Sequence, residues 1–472
     1  MSARLTYRQH LRAVLGLGLP LIGSHVAQFA ITLSDAVMLG WYSVEALAAE
    51  VLGGTLFFVL FIMGSGFAWA VMPMVAQAEA AGEGAQVRRV TRMGLWASGL
   101  FGLATLPAML GAGAVFGWLG QAPATSALAA DYLAIAGWGI LPALMVMVLK
   151  SYLAALERTG VVLWVTLAAV MLNIVINYAL IFGNFGLPEM GVRGAAVASL
   201  AVNLAAMAAL ALYVIRATPE HALFQRLWRP DREALGRVFR LGWPIGITNL
   251  AEVGLFAAAS VMMGWLGTLP LAAHGIGLQI TSVVFMVHVG LSNVATVRAG
   301  QAQGRGDVEG LRDGARVVLA TSGAVALLTV VLFLTVPEVL IGLFLAPDDP
   351  ERAAVIALGV TLLAAAALFQ VVDAAQVMAL GLLRGVQDTR VPMIIATLSY
   401  WVVGVPVSYL LGFTLGLGGP GIWLGLAAGL ALAGVFMLGR FWGWSVPRLA
   451  GPPPTGHRAR RGTRHLPPGV DH

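Results

Sequence analysis

The sequence has no cysteine among its 472 residues, and only 11% of its residues carry a charge. The missing cysteine excludes disulfide bonds and thiolate metal sites. The low charge excludes an ordinary soluble domain, in which about a quarter of the residues are charged. With 59% hydrophobic residues and a mean hydropathy of +0.86, the chain lacks the polar groups to cover a water-exposed surface. We therefore expect most of its surface to face lipid.

Long apolar segments dominate the sequence instead. Twelve of them contain the about 20 residues that a helix needs to cross ~30 Å of hydrocarbon. They lie near 14–39, 52–74, 93–115, 132–154, 161–182, 192–215, 241–265, 273–297, 317–344, 356–383, 392–415 and 421–441. The sequence thus predicts an all-α integral membrane protein with twelve transmembrane helices.

The basic residues indicate the orientation of these helices. Of the 28 Lys and Arg residues, only Arg193 and Arg352 fall in loops on one side, and the others fall on the side that carries both chain ends. By the positive-inside rule, both termini are predicted to be cytoplasmic. Because topology accounts for the net charge of +6, we expect no nucleic-acid partner.

The second half of the sequence repeats the first. With an offset of 224, Leu17, Gly18, Pro20, Val37, Met38, Gly40 and Trp41 reappear as Leu241, Gly242, Pro244, Val261, Met262, Gly264 and Trp265. Later in each half the offset is 230, as for Thr159 and Thr389. Six helices per copy is an even number, so both copies enter the membrane in the same direction. We predict two homologous six-helix bundles, related by a pseudo-two-fold axis along the membrane normal, with a V-shaped central cleft.

The domain boundaries follow from the repeat. We predict an N-terminal lobe at 1–215, a cytoplasmic linker at 216–240, a C-terminal lobe at 241–442 and a disordered cytoplasmic tail at 443–472, where Pro, Gly, Arg and His predominate. Pro20 and Pro244 occupy equivalent places in helices 1 and 7, where each favours a kink. Such a kink is either a hinge or a static bend.

Three of the 22 acids fall well inside apolar segments: Asp35, Glu252 and Asp373. A carboxylate at bilayer depth costs about 2.5–3.5 kcal/mol on insertion scales, so these acids are expected to serve a function. Desolvation disfavours the free carboxylate, which therefore tends to hold a proton or Na⁺. Because a positively charged substrate can compete for the same group, buried acids of this kind are suited to antiport.

Buried polar residues accompany the acids. Asn173 and Asn177 are four residues apart and share one helix face. Support of substrate or cation is predicted for Gln28, Asn203, Asn249, Gln279, Phe369, Gln370 and Tyr400. In the repeat, Asp35 corresponds to Ala259, Glu252 to Gln28, Asp373 to Ala143, Asn173 to Val403 and Asn177 to Val407. The repeated scaffold therefore does not need these groups, and the two halves are predicted to carry different ion sites.

Three motifs resemble a known family, the multidrug and toxic compound extrusion (MATE) transporters, and in particular their NorM-like branch. They are LGLPLIGSHVAQFAITLSDAVMLGWYS at 17–43, the Glu252-bearing helix 7, and DAAQVMALGLLRGVQDTRVPMIIATLSYWVVGVPVSYLLG at 373–412. The resemblance covers the chain up to about Trp442. It implies an antiporter, not an enzyme, that exports cationic amphipathic drugs or toxins by alternating access in exchange for protons or Na⁺. It implies no cofactor, and we expect a monomer in the lipid bilayer.

The resemblance also implies residue roles. Asp35 with Asn173 and Asn177 would form a cation site in the first half. Glu252 with Asp373 would form the second, where Na⁺ is one candidate ion. Na⁺-coupled members resembling this chain have a Tyr one turn before the helix-10 acid, where this sequence has Phe369. The resemblance therefore leaves proton and Na⁺ coupling open.

Two other functions compete with this interpretation. A lipid-linked precursor flippase of the same superfamily would line its cleft with basic residues, and we place no Lys or Arg within the spans of the first half. An intramembrane enzyme would need a nucleophile with its base or a metal cluster. The sequence has no cysteine, no HExxH motif and no GxSxG motif with suitable partners.

Overall fold

The structure is a computed structural model that describes residues 6–347 and 350–450. Within these ranges, twelve helices are long and apolar enough to cross a membrane. They are α1 (Tyr7–Tyr42), α2 (Val44–Ala80), α3 (Gly84–Leu110), α4 (Pro123–Ala155), α5 (Thr159–Phe182), α6 (Val192–Ala217), α7 (Arg232–Leu266), α8 (Thr268–Arg305), α9 (Val308–Thr335), α10 (Arg352–Gly385), α11 (Arg390–Thr414) and α12 (Gly418–Ala450). The predicted number of spans is thereby confirmed.

The helix boundaries lie at polar caps rather than at the ends of the apolar segments. The Thr6 side chain accepts a hydrogen bond from the Gln9 amide at the start of α1. Ser43 caps α2 in the same way, and Asp231 caps α7. Gly183, with φ 71°, follows α5 in the left-handed conformation that glycine adopts without strain. The helices are therefore longer than the apolar segments that predicted them.

The internal repeat is also visible in the helix boundaries. Helix α1 ends at Tyr42 and α7 ends at Leu266, 224 positions later. Helices α4 and α10 end at Ala155 and Gly385, which are 230 positions apart. Both offsets are those of the sequence repeat. The first lobe, α1–α6, and the second lobe, α7–α12, are thus two copies of one six-helix unit.

Two segments differ from their predicted states. Helix α7 begins at Arg232, within the segment 216–240 predicted as the linker, because Asp231 caps it there. The predicted disorder is wrong for 443–450, where α12 continues to Ala450. Arg440 and Arg448 lie 4.2 and 4.9 Å from the centre of the Trp444 ring, and these contacts hold the last turns. The remainder of the predicted tail, 451–472, lies outside the described residues.

Glycine backbones bring the two lobes together. We call the face at which α1 begins and α12 ends the terminal face. A Cβ atom added to Gly66 of α2 would lie 2.4 Å from the Gly242 carbonyl oxygen and 2.4 Å from the Gly246 nitrogen of α7. A Cβ atom on Gly300 of α8 would lie 3.0 Å from the Pro73 carbonyl oxygen of α2. Such close backbone approach is typical of small-residue packing between membrane helices.

We call this contact of α2 with α7 and α8 the seam. Side chains extend the seam toward the terminal face. Hydrogen bonds across it join Asn293 to His25 at 2.9 Å, Arg298 to His10 at 2.7 Å, Tyr7 to Asp313 at 3.2 Å and Gln301 to Glu157 at 2.9 Å. All of these contacts lie between the middle of the helices and the terminal face. The lobes are therefore joined at that end, as the predicted V-shaped cleft requires.

Candidate functional site

The second lobe buries two carboxyl groups that lack hydrogen-bond donors. Asp373 on α10 is 0% exposed, and the structure gives neither of its carboxyl oxygens a protein partner. Glu252 on α7 is 9% exposed, and its Oε1 is likewise unpartnered. The two acids are close enough to interact electrostatically. Each predicted acid of this half therefore has unused acceptor capacity.

Two glutamines on α10 add further unpaired oxygens. Gln370 and Gln376 lie three residues before and after Asp373, close to the same helix face. Gln376 donates to the Tyr400 hydroxyl at 2.6 Å, and Gln370 donates weakly to the Thr281 carbonyl at 3.5 Å. The Oε1 atoms of both glutamines are buried without a donor. An excess of buried oxygen acceptors favours a proton or a hard cation such as Na⁺.

Arg384 connects this group to the seam. Its Nη2 donates to Asn249 Oδ1 at 2.8 Å, and Asn249 lies one turn before Glu252 on α7. Its guanidinium carbon lies 4.9 Å from the ring centre of Trp69 in the first lobe. Arg384 also interacts electrostatically with Glu252. Sequence reasoning missed this role because Arg384 had been counted among the basic residues that set topology.

The remaining predicted support residues of the second lobe divide into two kinds. Phe369 packs edge-on against Phe256 and Trp423, with ring centres 5.8 and 5.3 Å away. It therefore forms an apolar wall one turn from Asp373. Gln279 is exposed on α8. Within residues 6–347 and 350–450, no hydrogen bond joins Gln279 to either of the two acids.

Asp35 in the first lobe has a different environment. It is 7% exposed, and its Oδ1 accepts hydrogen bonds from Asn173 at 2.9 Å and from Asn177 at 2.5 Å. Asn177 also donates to Asn173 Oδ1 at 3.2 Å. The structure thus brings these three predicted residues together. The amides supply donors to a carboxylate, in contrast to the unpaired acids of the second lobe.

The first-lobe group includes an acid that the sequence reasoning missed. Glu50 is partly buried on α2 and interacts electrostatically with Asp35. The predicted apolar segment begins near 52, which leaves Glu50 outside it, whereas α2 begins at Val44 and includes Glu50. Asn203, a predicted support residue, instead donates to the Ser199 carbonyl at 2.9 Å within α6.

Lys150 corrects a statement about the first half. Lys150 is not a loop residue, as the statement that no Lys or Arg lies within the first-half spans would require. It lies within the apolar segment near 132–154 and inside α4, five residues before that helix ends at Ala155. Its Nζ donates to Oε1 of the predicted support residue Gln28 at 3.2 Å. The absence of a basic residue therefore no longer argues against a flippase.

The two predicted hinge prolines lie inside unbroken helices. Pro20 is partly buried in α1, and Pro244 is buried in α7. The Thr248 hydroxyl donates to the Pro244 carbonyl at 2.8 Å. Movement about either proline stays a prediction.

Ion pairs and hydrogen bonds hold the connection between the lobes against α3 of the first lobe. Arg89 of α3 forms ion pairs with Asp231 at 2.5 Å and with Glu233 at 2.9 Å. The Arg89 guanidinium beside Asp231 holds the pKa of that carboxyl below its usual range. Arg92 donates to the Leu223 carbonyl at 2.7 Å. This segment is therefore bound to α3 along much of its length.

Two homologous lobes, a cleft open to one face and buried carboxyls in each lobe together define a multi-pass membrane transporter. The model of the MatE family matches residues 20–179 and 244–410, one range in each lobe. The chain belongs to the MatE family.

Relatives and solved structures agree with this membership. The chain is 46% identical to a "Probable multidrug resistance protein NorM" of Agrobacterium fabrum, over 92% of this chain and 93% of the relative. It has the same identity and coverage with the protein of that name from Rhizobium meliloti. Its fold is similar to a MOP superfamily transporter from Pyrococcus furiosus, with a TM-score of 0.83, 20% identity and coverage of 93% and 96%. It is also similar to a eukaryotic MATE transporter, with a TM-score of 0.82, 18% identity and coverage of 94% and 98%.

Proposed function

We propose that this protein is a secondary multidrug efflux antiporter. It exports cationic amphipathic compounds in exchange for protons or Na⁺, as a monomer in a bacterial inner membrane. Support comes from the two NorM relatives, which are named as probable multidrug resistance proteins and are 46% identical to this chain over most of its length. Further support comes from the acids buried within the helices of both lobes.

The observation that carries the antiport proposal is the state of Asp373. A buried acceptor without a donor costs about 1–3 kcal/mol, and this side chain has two such oxygens. A bound cation removes that cost, because it supplies the missing positive partner. Asp373 and Glu252 are therefore the groups that exchange the coupling ion for the exported compound.

The lobe arrangement supports alternating access. With both termini in the cytoplasm, as the basic loops predict, the terminal face is the cytoplasmic face. The seam then closes the cytoplasmic end, and the cleft opens outward. Rocking of the lobes about the seam exposes the same acids to the other side in turn. Arg384, which bonds to Asn249 and stacks on Trp69, links the acids to that movement.

The oxygen atoms near the two acids bear on the choice between protons and Na⁺ as the coupling ion. Phe369 supplies no oxygen, which disfavours Na⁺ at that position. The free Oε1 atoms of Gln370 and Gln376 are candidate ligands that would compensate. The site is therefore compatible with either ion, and the gradient experiment below distinguishes them.

The test is efflux of an ethidium-type dye from vesicles under separately imposed proton and Na⁺ gradients. We expect one gradient at least to drive efflux in the parent protein. Asp373→Asn and Glu252→Gln remove the ionisable group with little change in shape, and we expect both to abolish gradient-driven efflux. The matched control is Asp131→Asn, because Asp131 is an exposed acid paired with Arg193.

Efflux that responds to neither gradient would remove the antiporter proposal. Parent-level efflux by Asp373→Asn would show that the ion binds elsewhere. The competing flippase function predicts translocation of a fluorescent lipid-linked phosphate in the same vesicles. That activity without dye efflux would favour the flippase.

A further inference from the structure

We propose that Lys150 forms a carboxylate-binding subsite in the central cleft, by which the transporter distinguishes compounds that carry a carboxylate from those that do not. This inference rests on the proposed efflux function. It assigns to the first lobe a charge opposite to that of the coupling acids in the second lobe.

The direction of the Lys150 side chain is the first argument. A lysine near the end of a membrane helix normally extends toward the nearer surface. Lys150 is only five residues from the end of α4 at the terminal face, yet its Nζ bonds to Gln28. Gln28 lies one turn beyond Ser24, whose hydroxyl bonds to Thr166, seven residues into α5. The amine therefore points into the membrane interior.

The second argument is that this amine lies beside the cleft. Gln28 is exposed and lies three residues after His25, on the same side of α1. His25 accepts the hydrogen bond from Asn293 of the second lobe, so this side of α1 faces the other lobe. Lys150 also interacts electrostatically with His25. A lysine amine has three donors, and the Gln28 contact uses one of them.

The repeat supplies the third argument. Gln28 occupies the position of Glu252, and Lys150 occupies that of Leu380, which is buried in the second lobe. The pseudo-two-fold axis therefore relates the Glu252 carboxyl group of the second lobe to the Gln28 amide of the first, which is hydrogen-bonded to Lys150. A compound with an amine and a carboxylate can place its amine toward Glu252 and its carboxylate toward Lys150. The repeat itself does not require a lysine there, because Leu380 fills the equivalent place.

The test compares a rhodamine dye that has a free carboxylate with the methyl ester of the same dye. The first is zwitterionic and the second is cationic, and they are otherwise closely matched. Binding to the purified full-length protein is measured by fluorescence polarisation, and the readout is the ratio of the two affinities. Loss of a charge-assisted hydrogen bond in Lys150→Gln should lower the preference for the carboxylate dye about tenfold. Lys150→Arg keeps the positive charge and should keep most of the preference.

Arg193→Gln serves as the control, because Arg193 is exposed and paired with Asp131 near the start of α4, at the other end of that helix from Lys150. Its ratio should equal that of the parent. An unchanged ratio in Lys150→Gln overturns the subsite, including the case in which both dyes weaken equally. Binding of the ester alone by the parent also overturns it while leaving the efflux function standing. Failure to bind either dye counts against both proposals.

Discussion

The substitution of Asn for Asp should have opposite effects on stability at two buried acids, Asp35 and Asp373. In Asp35→Asn, Oδ1 can still accept from Asn173 and Asn177, but the hydrogen bonds are no longer charge-assisted. Hydrogen bonds to charged groups contribute about 1.5–3 kcal/mol and neutral ones about 0.5–1.5 kcal/mol. The two bonds together should therefore lose about 2 kcal/mol of unfolding free energy.

Asp373→Asn removes no hydrogen bond from a protein donor, because the structure gives Asp373 none. It also removes the ionisable group from a fully buried place. We therefore expect the unfolding free energy to change by less than about 0.5 kcal/mol or to rise. The two variants are chemically identical substitutions, so the difference between them reports the surroundings alone.

The assay is thermal unfolding of the purified variants in detergent at pH 8, followed by tryptophan fluorescence. Asp35→Asn should lower the apparent Tm by about 2 °C, and Asp373→Asn should leave it unchanged or raise it. Asp131→Asn, at an exposed ion pair, provides the reference for a surface substitution. Equal losses in the two buried variants would refute the contrast between a satisfied and an unsatisfied acid.

Three further predictions concern the seam and the connection between the lobes. Gly66→Val places atoms where the α7 backbone lies, so it should open the terminal face. Labelling of a cysteine introduced by Ala76→Cys, in a chain with no other cysteine, should then rise, and unchanged labelling would contradict this. Arg384→Gln removes the stacking on Trp69 and should slow efflux at least about tenfold while dye binding is kept, whereas equal loss of both would point to misfolding. The pKa of Asp231 is lowered by its arginine partner, so its small contribution to stability is present above the usual aspartate pKa of 3.8 and is lost as pH falls through the lowered value. The Tm difference between the parent and Asp231→Asn should therefore disappear in acid, and a difference that grows there would contradict the sign.

The fold could be predicted from the sequence because lipid imposes a strong requirement on helix length. Twelve apolar segments gave twelve helices, and the offsets of 224 and 230 recur at the helix ends. The ends themselves could not be predicted, because caps such as Thr6 and Asp231 lie beyond the apolar segments. Residues 443–450 were missed for a related reason. The last predicted apolar segment ends near 441, but the ring of Trp444 between Arg440 and Arg448 holds these residues in α12.

The candidate site could be predicted only in part. Acids are rare within membranes, so Asp35, Glu252 and Asp373 could be identified from position alone. Arg384 and Lys150 were missed because basic residues near the terminal face also serve topology, and a sequence does not separate the two uses. The different surroundings of Asp35 and Asp373 depend on side-chain directions across several helices, so no linear pattern records them.

The glycine contact between Gly66 and Gly242 has an evolutionary consequence. A contact between main chains does not depend on the identity of the side chains around it. After duplication of an ancestral gene, each copy could therefore exchange its polar residues while this contact between α2 and α7 stayed intact. One descendant half now carries an acid held by amides together with a lysine, and the other carries unpaired acids. The backbone contact thus allowed the two halves to specialise chemically.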